Sequence, residues 1–312
     1  MAKKLISIVT PCFNEEGNVE ELYNQIKAVF ETVPQYDYEH IYIDNASTDS
    51  TQAVLRRLAS QDKRVKVILN MRNFGHLRSP YHAFLLARGD AVIVMVSDLQ
   101  DPPPLIADFL RKWDEGYKVV FGQKGESEES WLMYFIRTRY YRLVRRLADV
   151  ELLEHVTGFG LYDRTVVEQI RNTEDRYPYV RGLISELGYP VARIPYRQPR
   201  RKSGITKNNF YTLYDIAMLG LTSHSKVPLR LATMLGFAVS FLSLLAGLTY
   251  FVYKLVFWNQ FSVGIAPLVI GLFFVGSVQL FFLGIVGEYV GAIHTQVLKR
   301  PLVIEKERIN FD

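Results

Sequence analysis

Apolar residues fall into short, unbroken runs over the first third of the chain. Leu5–Thr10, Tyr38–Ile43, Val65–Leu69 and Val92–Val96 are each bounded by polar or glycine-containing turns, and each reads as a strand buried on both faces. Between these runs the pattern changes to a helical period. It predicts an amphipathic helix over about Val19–Thr32, a helix capped within Ser47–Ser50 that continues through Leu58, and a third over Pro80–Ala87. Val119–Lys124 adds a short fifth strand. Strands alternating with helices predict an α/β domain with a doubly wound, mostly parallel sheet.

The pattern changes again in the last third. Leu229–Phe257 is almost wholly apolar, interrupted by Lys254, and Val263–Val286 carries no charge. Each run exceeds the roughly 20 residues that cross a bilayer. The connection between them, Trp258–Ser262, is short and uncharged. Lys226 and Arg230 flank the first span, and Lys299, Arg300 and Lys306 follow the second, so positive-inside bias predicts a multi-pass inner-membrane protein with both termini and the N-terminal domain in the cytoplasm. Lys254 is expected to snorkel, and Glu288 to lie just beyond the second span at the cytoplasmic interface. The expected organisation is a catalytic domain over 1–207, a juxtamembrane helix over 208–226, a two-helix membrane domain over 227–298 and a cytoplasmic tail over 299–312.

Composition refines this only slightly. A single cysteine, Cys12, rules out an internal disulfide. The Met1–Lys4 start runs directly into a strand and has too short an apolar run for a signal peptide. The net charge of +5 gathers in Arg137–Arg146 and Arg193–Lys207, pointing to an anionic partner or surface. Residues 131–147 mix aromatics with arginines, which fits a helix in a membrane interface and equally a core helix with a basic face. Nothing points to nucleic acid. Aromatic helices beside two spans make a homo-oligomer an expectation.

The candidate chemistry sits at the strand ends, where α/β sheets bind ligands. The fourth strand runs into Ser97-Asp98-Leu99-Gln100-Asp101-Pro102-Pro103. Asp98 and Gln100 are hard oxygen donors suited to Mg²⁺ or Mn²⁺ bridging the diphosphate of a nucleotide sugar. The plainer reading makes Asp101 an N-cap ahead of two prolines. Glu15 and Asp44 fall at the ends of the first two strands, where carboxylates accept hydrogen bonds from ribose hydroxyls or a pyrimidine imide. The broken segment Val156–Tyr162 suits close backbone approach at a site. Arg200–Lys207 is either a solvated charge run or a loop that wraps phosphates, with Arg201 as a bidentate donor and Lys207 as a point charge. There is no Gly-x-Gly-x-x-Gly after the first strand, no Walker lysine motif, no Gly-x-Ser-x-Gly elbow and no His/Cys cluster.

Taken together, Pro11–Glu16, Asp44–Asp49, Arg72–Gly75, Ser97–Pro103, Thr157–Phe159 and Arg201–Lys207 resemble the polyprenyl-phosphate glycosyltransferases of family 2, which have a GT-A fold. The two spans resemble the GtrB-type undecaprenyl-phosphate glucosyltransferases more than the single-domain dolichyl-phosphate mannose synthases. The resemblance implies that Pro11, Phe13, Glu15, Ile43 and Asp44 hold base and ribose, with Asn45, Asn73 and Ser97 as further substrate contacts. It implies that Asp98 and Gln100 bind the metal. Arg201 and Lys207 would close over the donor and acceptor phosphates, supported by Lys124 and Arg181. The implied reaction is an inverting transfer of a hexose, glucose from UDP-glucose in the first instance, onto polyprenyl phosphate for cell-envelope glycosylation. Mannosyl transfer from GDP-mannose and a non-enzymatic scaffold or flippase role are the alternatives. The chain departs from the pattern at Val96, which replaces the first acid of Asp-x-Asp, at Asn45-Ala46, which replace Asp-Gly, and at Gly160, which replaces an arginine.

Overall fold

The computed structural model describes residues 3–124, 156–175, 180–199, 218, 222, 225–257 and 265–311. The expected helix at 131–147, most of the expected helix at 208–226, the Trp258–Ser262 connection, Arg201 and Lys207 lie outside the described residues.

The elements follow in the order β1 (Lys4–Cys12), α1 (Val19–Thr32), β2 (Tyr36–Asp44), α2 (Thr51–Gln61), β3 (Val65–Asn70), α3 (Gly75–Leu86), β4 (Ala91–Val94), α4 (Leu105–Asp114), β5 (Val119–Lys124), β6 (Val156–Asp163), α5 (Arg164–Asn172), α6 (Val180–Leu187), β7 (Val191–Tyr196), α7 (Val227–Val256), α8 (Ile265–Val297) and β8 (Glu305–Ile309). The eight strands form one sheet in the order β7-β5-β6-β4-β1-β2-β3-β8. β6 and β8 are antiparallel to their neighbours, and the remaining pairings are parallel. The mostly parallel GT-A-like sheet expected from the sequence is therefore present.

Period-two alternation along each strand divides the core into two layers. On one face Ile6, Ile8 and Tyr42 pack with Leu22, Ile26, Leu55, Phe109 and Trp113 from α1, α2 and α4. On the other, Val9, Ile41 and Ile43 pack with Tyr81, Phe84, Val166, Ile170 and Ile184 from α3, α5 and α6.

Three boundaries differ from the sequence reading. β4 stops at Val94, because Met95 makes the last ladder bond to Val9 O (3.0 Å) and the chain then turns, leaving Val96 39% exposed. α3 starts at Gly75 rather than Pro80, with the proline inside the helix at the loss of one N–H donor. α4 begins at Leu105 with Pro104 at its N-cap position, so Asp101 is not the cap.

The largest correction concerns the tail. Residues 299–312 do not form an appendage: Glu305–Ile309 adds an antiparallel strand to the open edge of β3, in register Val67↔Ile309, Ile68↔Arg308 and Leu69↔Glu307. Leu302 and Val303 are buried, Arg56 grips Glu307 through two 2.5 Å bonds, and the Asn310 amide donates to Ala59 O (2.7 Å) and Val65 O (2.8 Å). Covering β3 in this way removes an exposed sheet edge.

α7 and α8 are apolar and long enough to cross a membrane. Because β8 rejoins the sheet after α8, the C-terminal end of α8 is tied back to the α/β domain. α8 continues through Glu288 to Val297, beyond the uncharged run 263–286.

Candidate active site

The site is built at the carboxyl ends of β1, β2, β3 and β4. β1 and β2 end together, Cys12 opposite Asp44, and Asn45 N donates to Cys12 O (2.9 Å). The turns that follow are locked to each other. Asn14, at φ +58°, donates its N–H to Ser47 Oγ (2.9 Å), and its Oδ1 accepts from Thr48 N (2.8 Å). Glu15 N donates to Thr51 Oγ1 (2.8 Å), and Ser50 N to a Glu16 carboxylate oxygen (2.8 Å). Ser97 Oγ reaches Pro11 O (3.0 Å), which brings the β4 turn against the end of β1. Glu15, Asp44 and Asp98 therefore do lie along one edge. Burial pushes the Cys12 thiol well up, and the nearby charges of Asp44 and Glu15 add to this.

The predicted residues serve different parts of this edge. Asp44 is fully buried, and its carboxylate accepts from Ser47 Oγ, Ser47 N (3.0 Å) and the Gln52 amide (2.8 Å). Asn45 ties β2 to the turn after β3: its amide donates to Asn73 Oδ1 (3.0 Å) and Gly75 O (3.0 Å), and its Oδ1 accepts from Phe74 N (2.9 Å) and Asn70 Nδ2 (3.2 Å). Glu15 accepts from the Asn18 amide (2.6 Å). Pro11 and Phe13 are half-buried at the end of β1. Ile43 does not reach the edge; it is fully buried in the layer with Val9, Ile68 and Phe84, because β2 alternates and Asp44 takes the end position. Lys124, half-buried, ends β5 opposite Tyr196, and β5 runs parallel to β4, so it lies at the same edge. Arg181 is in the first turn of α6, where only the backbone is described.

The turn from Val96 to Asp101 is the most constrained part. Asp98 Oδ1 accepts from Gln100 N (3.1 Å), and Leu99 between them sits at φ +60°. One tight turn thus carries both proposed oxygen donors. Asp101 holds the turn from below: Oδ2 accepts from Val96 N (3.1 Å) and Oδ1 from the Tyr196 hydroxyl (3.2 Å). Asp101 is 3% exposed, and burial, with the Asp98 charge adding to it, pushes its carboxyl up to about 7. Sequence reasoning reached Asp101 only as a cap and missed Tyr196 entirely; the carboxyl-end position of β7 was the one available signal.

Among the described residues no group of three or more His, Cys, Asp or Glu forms a complete metal cage. One carboxylate and one amide oxygen on a tight turn nevertheless fit a hard cation whose remaining ligands come from substrate phosphates and water. Gly160 has a different role from the one expected. A Cβ on Gly160 would stand 2.5 Å from Val120 O, so its close approach is to β5 and not to a ligand, and an arginine has no room there.

Residues 7–171 match the family described as Glycosyl transferase family 2, more than half of the chain, and residues 227–293 match the GtrB C-terminal hairpin. The chain belongs to glycosyl transferase family 2. As a glycosyltransferase it is an enzyme, which removes the scaffold reading. It is 33% identical over 303 residues to the SfII prophage-derived bactoprenol glucosyl transferase of Shigella flexneri, covering 97% of each chain. It is likewise 33% identical over 308 residues to the putative glycosyltransferase CsbB of Bacillus subtilis, covering 98% of this chain and 93% of that one. Among solved structures, glucosyl-3-phosphoglycerate synthase from Mycobacterium tuberculosis, crystallised with Mn²⁺, UDP and phosphoglyceric acid, shares the glycosyltransferase fold with a TM-score of 0.50 at 20% identity, over 70% of this chain and 76% of that one.

Proposed function

We propose that this family 2 glycosyltransferase moves glucose from UDP-glucose onto a polyprenyl phosphate in the cytoplasmic leaflet of the inner membrane. The observation that carries the reading is topological. The carboxyl edge of the sheet holds the acidic site, and it is also where both connections to the apolar hairpin attach. β7 ends at this edge before the chain runs toward α7, and β8 enters the sheet at this edge after α8. A water-soluble donor and a lipid acceptor are thereby brought to one place. The bactoprenol glucosyl transferases that align along nearly the whole chain support the choice of acceptor and sugar.

In the proposed reaction an oxygen of the lipid phosphate attacks C1 of the sugar, the bond from C1 to the diphosphate oxygen breaks, and UDP leaves with the bonding pair. One displacement inverts C1 and yields a β-linked lipid phosphoglucose. The lipid phosphate is already anionic near neutral pH, so no strong general base is required. Asp98 and Gln100 would hold Mg²⁺ or Mn²⁺, which when bound neutralises charge on the leaving diphosphate. Arg201 and Lys207, with Lys124 and Arg181, hold the phosphates in line and lower the entropic cost of approach. Pro11, Phe13, Glu15 and Ser97 border the nucleoside, while Asp44, Asn45 and Asn73 fix the turns that do so. The lysines and arginines flanking α7 and α8 support a cytoplasmic orientation of the domain.

The test is transfer by the purified full chain, with radiolabelled UDP-glucose, UDP-galactose or GDP-mannose and undecaprenyl phosphate, followed by separation of the lipid product. UDP-glucose is expected to label the lipid fraction, with loss of label on chelation and in Asp98→Ala. Labelling from GDP-mannose alone would replace the sugar assignment. Undiminished transfer by Asp98→Ala would remove the metal site.

A further inference from the structure

Large apolar side chains that remain exposed outside residues 227–297 are few among the described residues, and they are not scattered. They are Met71 (61% exposed), Val96 (39%), Leu298 (42%) and Ile304 (54%). Met71 and Val96 stand just past the carboxyl ends of β3 and β4. Leu298 and Ile304 belong to the connection between α8 and β8. Met71 and Ile304 meet, since Met71 N donates to Ile304 O (2.9 Å). The opposite edge of the sheet carries no such residue among those described.

The same place is basic. Arg72, Lys299 and Arg300 are all exposed. Arg72 lies over the Phe74 ring (4.1 Å) and donates to Asn73 O (3.0 Å), and among the described residues no carboxylate pairs with it. Lys299 turns the chain sharply off the end of α8 at φ +46°. Only five peptide steps separate Val297, the last residue of α8, from Leu302, which is 9% exposed within the catalytic domain. Five residues span at most about 18 Å, so the edge is held within that distance of the end of α8.

We propose that this edge, centred on Met71 and Ile304, is a second membrane contact of the catalytic domain. The two apolar side chains enter the interface, and Arg72, Lys299 and Arg300 meet anionic lipid headgroups. Continuity with α8 selects the bilayer as the occupant, and the sign of the charge selects anionic headgroups within it. The contact fixes the height and tilt of the acidic site above the lipid phosphate. The inference rests on the two helices crossing a bilayer; it does not depend on which sugar or acceptor is used.

The experiment places an environment-sensitive fluorophore on Met71→Cys in the full chain, reconstituted in phosphatidylglycerol/phosphatidylethanolamine vesicles or in phosphatidylcholine vesicles. Cys12 is buried and is replaced by alanine as a labelling control. Asp37→Cys, exposed at the amino edge of β2, is the reference. The Met71 probe is expected to shift to the blue and be quenched by brominated lipid, more in the anionic vesicles, while the Asp37 probe stays in water. In the triple variant Arg72→Gln, Lys299→Gln, Arg300→Gln the extra shift in anionic vesicles is lost. Vesicle flotation reports separately that the hairpin is inserted. An inserted protein whose Met71 probe stays as water-exposed as the Asp37 probe overturns the contact and leaves the function above untouched. Equal shifts in both vesicle types overturn the headgroup assignment.

Discussion

The Tyr196 hydroxyl donates to Asp101 Oδ1 at 3.2 Å, joining positions 95 residues apart in the chain. Asp101 in turn holds Val96 N, so the last residue of β7 braces the turn that presents Asp98 and Gln100. Tyr196→Phe removes the donor and leaves a buried carboxyl one partner short. Stability is expected to fall by about 1–2 kcal/mol. Transfer is expected to fall further, with a raised requirement for Mg²⁺ or Mn²⁺. Metal titrations of transfer, set beside thermal unfolding, separate the two effects.

The Asn45 side chain makes four hydrogen bonds in a setting where the residue is 7% exposed. Asn45→Ala orphans the Phe74 N–H and an Asn70 donor, at an expected cost of about 2–4 kcal/mol. Asn45→Asp restores the acid usual in the resembled family, yet it sets a carboxylate against Asn73 Oδ1 and Gly75 O. It is expected to destabilise as well, and to weaken donor binding before it changes base preference. Denaturant unfolding and competition by UDP and GDP measure the two outcomes.

Gly160 provides a steric test. Gly160→Ala drives a methyl toward Val120 O and is expected to cost about 1–3 kcal/mol. Gly160→Arg is expected to prevent accumulation of folded protein, measured by the monodisperse yield after extraction. A well-folded arginine variant would show that β5 and β6 can separate.

His40 sets an acid limit on the fold. It is fully buried, with Nε2 3.0 Å from Thr10 Oγ1, its ring tilted against Tyr42 and, among the described residues, no partner for Nδ1. Burial lowers its pKa from 6.5 to about 3. The unfolded chain therefore takes up this proton first as pH falls. The stabilisation is complete above pH 6.5 and is lost as pH drops toward 3, by up to ~1.4 kcal/mol per pH unit. His40→Gln is expected to flatten that part of the stability–pH curve.

Removing residues 305–312 strips β8 from β3. The truncated chain is expected to insert its hairpin normally but to lose solubility of the catalytic domain through the bared edge of β3. Asn310→Ala is the milder variant, losing two backbone contacts and about 1–2 kcal/mol. Protease resistance of the catalytic domain in membranes reads both.

The runs of apolar residues were enough to place β1, β2, β3, β5 and α1, because buried parallel strands and an amphipathic helix each leave a periodic trace. β8 leaves none. Glu305-Lys306-Glu307-Arg308-Ile309 is highly charged, since an edge strand on the rim of the sheet needs no apolar face, and it read as a tail. The site was legible to the extent that strand-end acids imply it: Glu15, Asp44 and Asp98 do share an edge. Which of them is committed to the fold was not legible. Asp44 and Asn45 are saturated by turns that are distant in sequence, and Asp101 depends on a tyrosine in another strand. Such pairings are set by tertiary closure, which local spacing does not encode.

The return of the chain through β8 also has a kinetic meaning. A domain hung from one linker can rotate and present any side to the lipid. Held at both ends of the hairpin, this domain would, in the membrane placement proposed above, keep one rim over the headgroups. An acceptor drifting sideways through the leaflet would then meet the site at a constant depth, so its search would be confined to two dimensions and the protein would not have to reorient between turnovers.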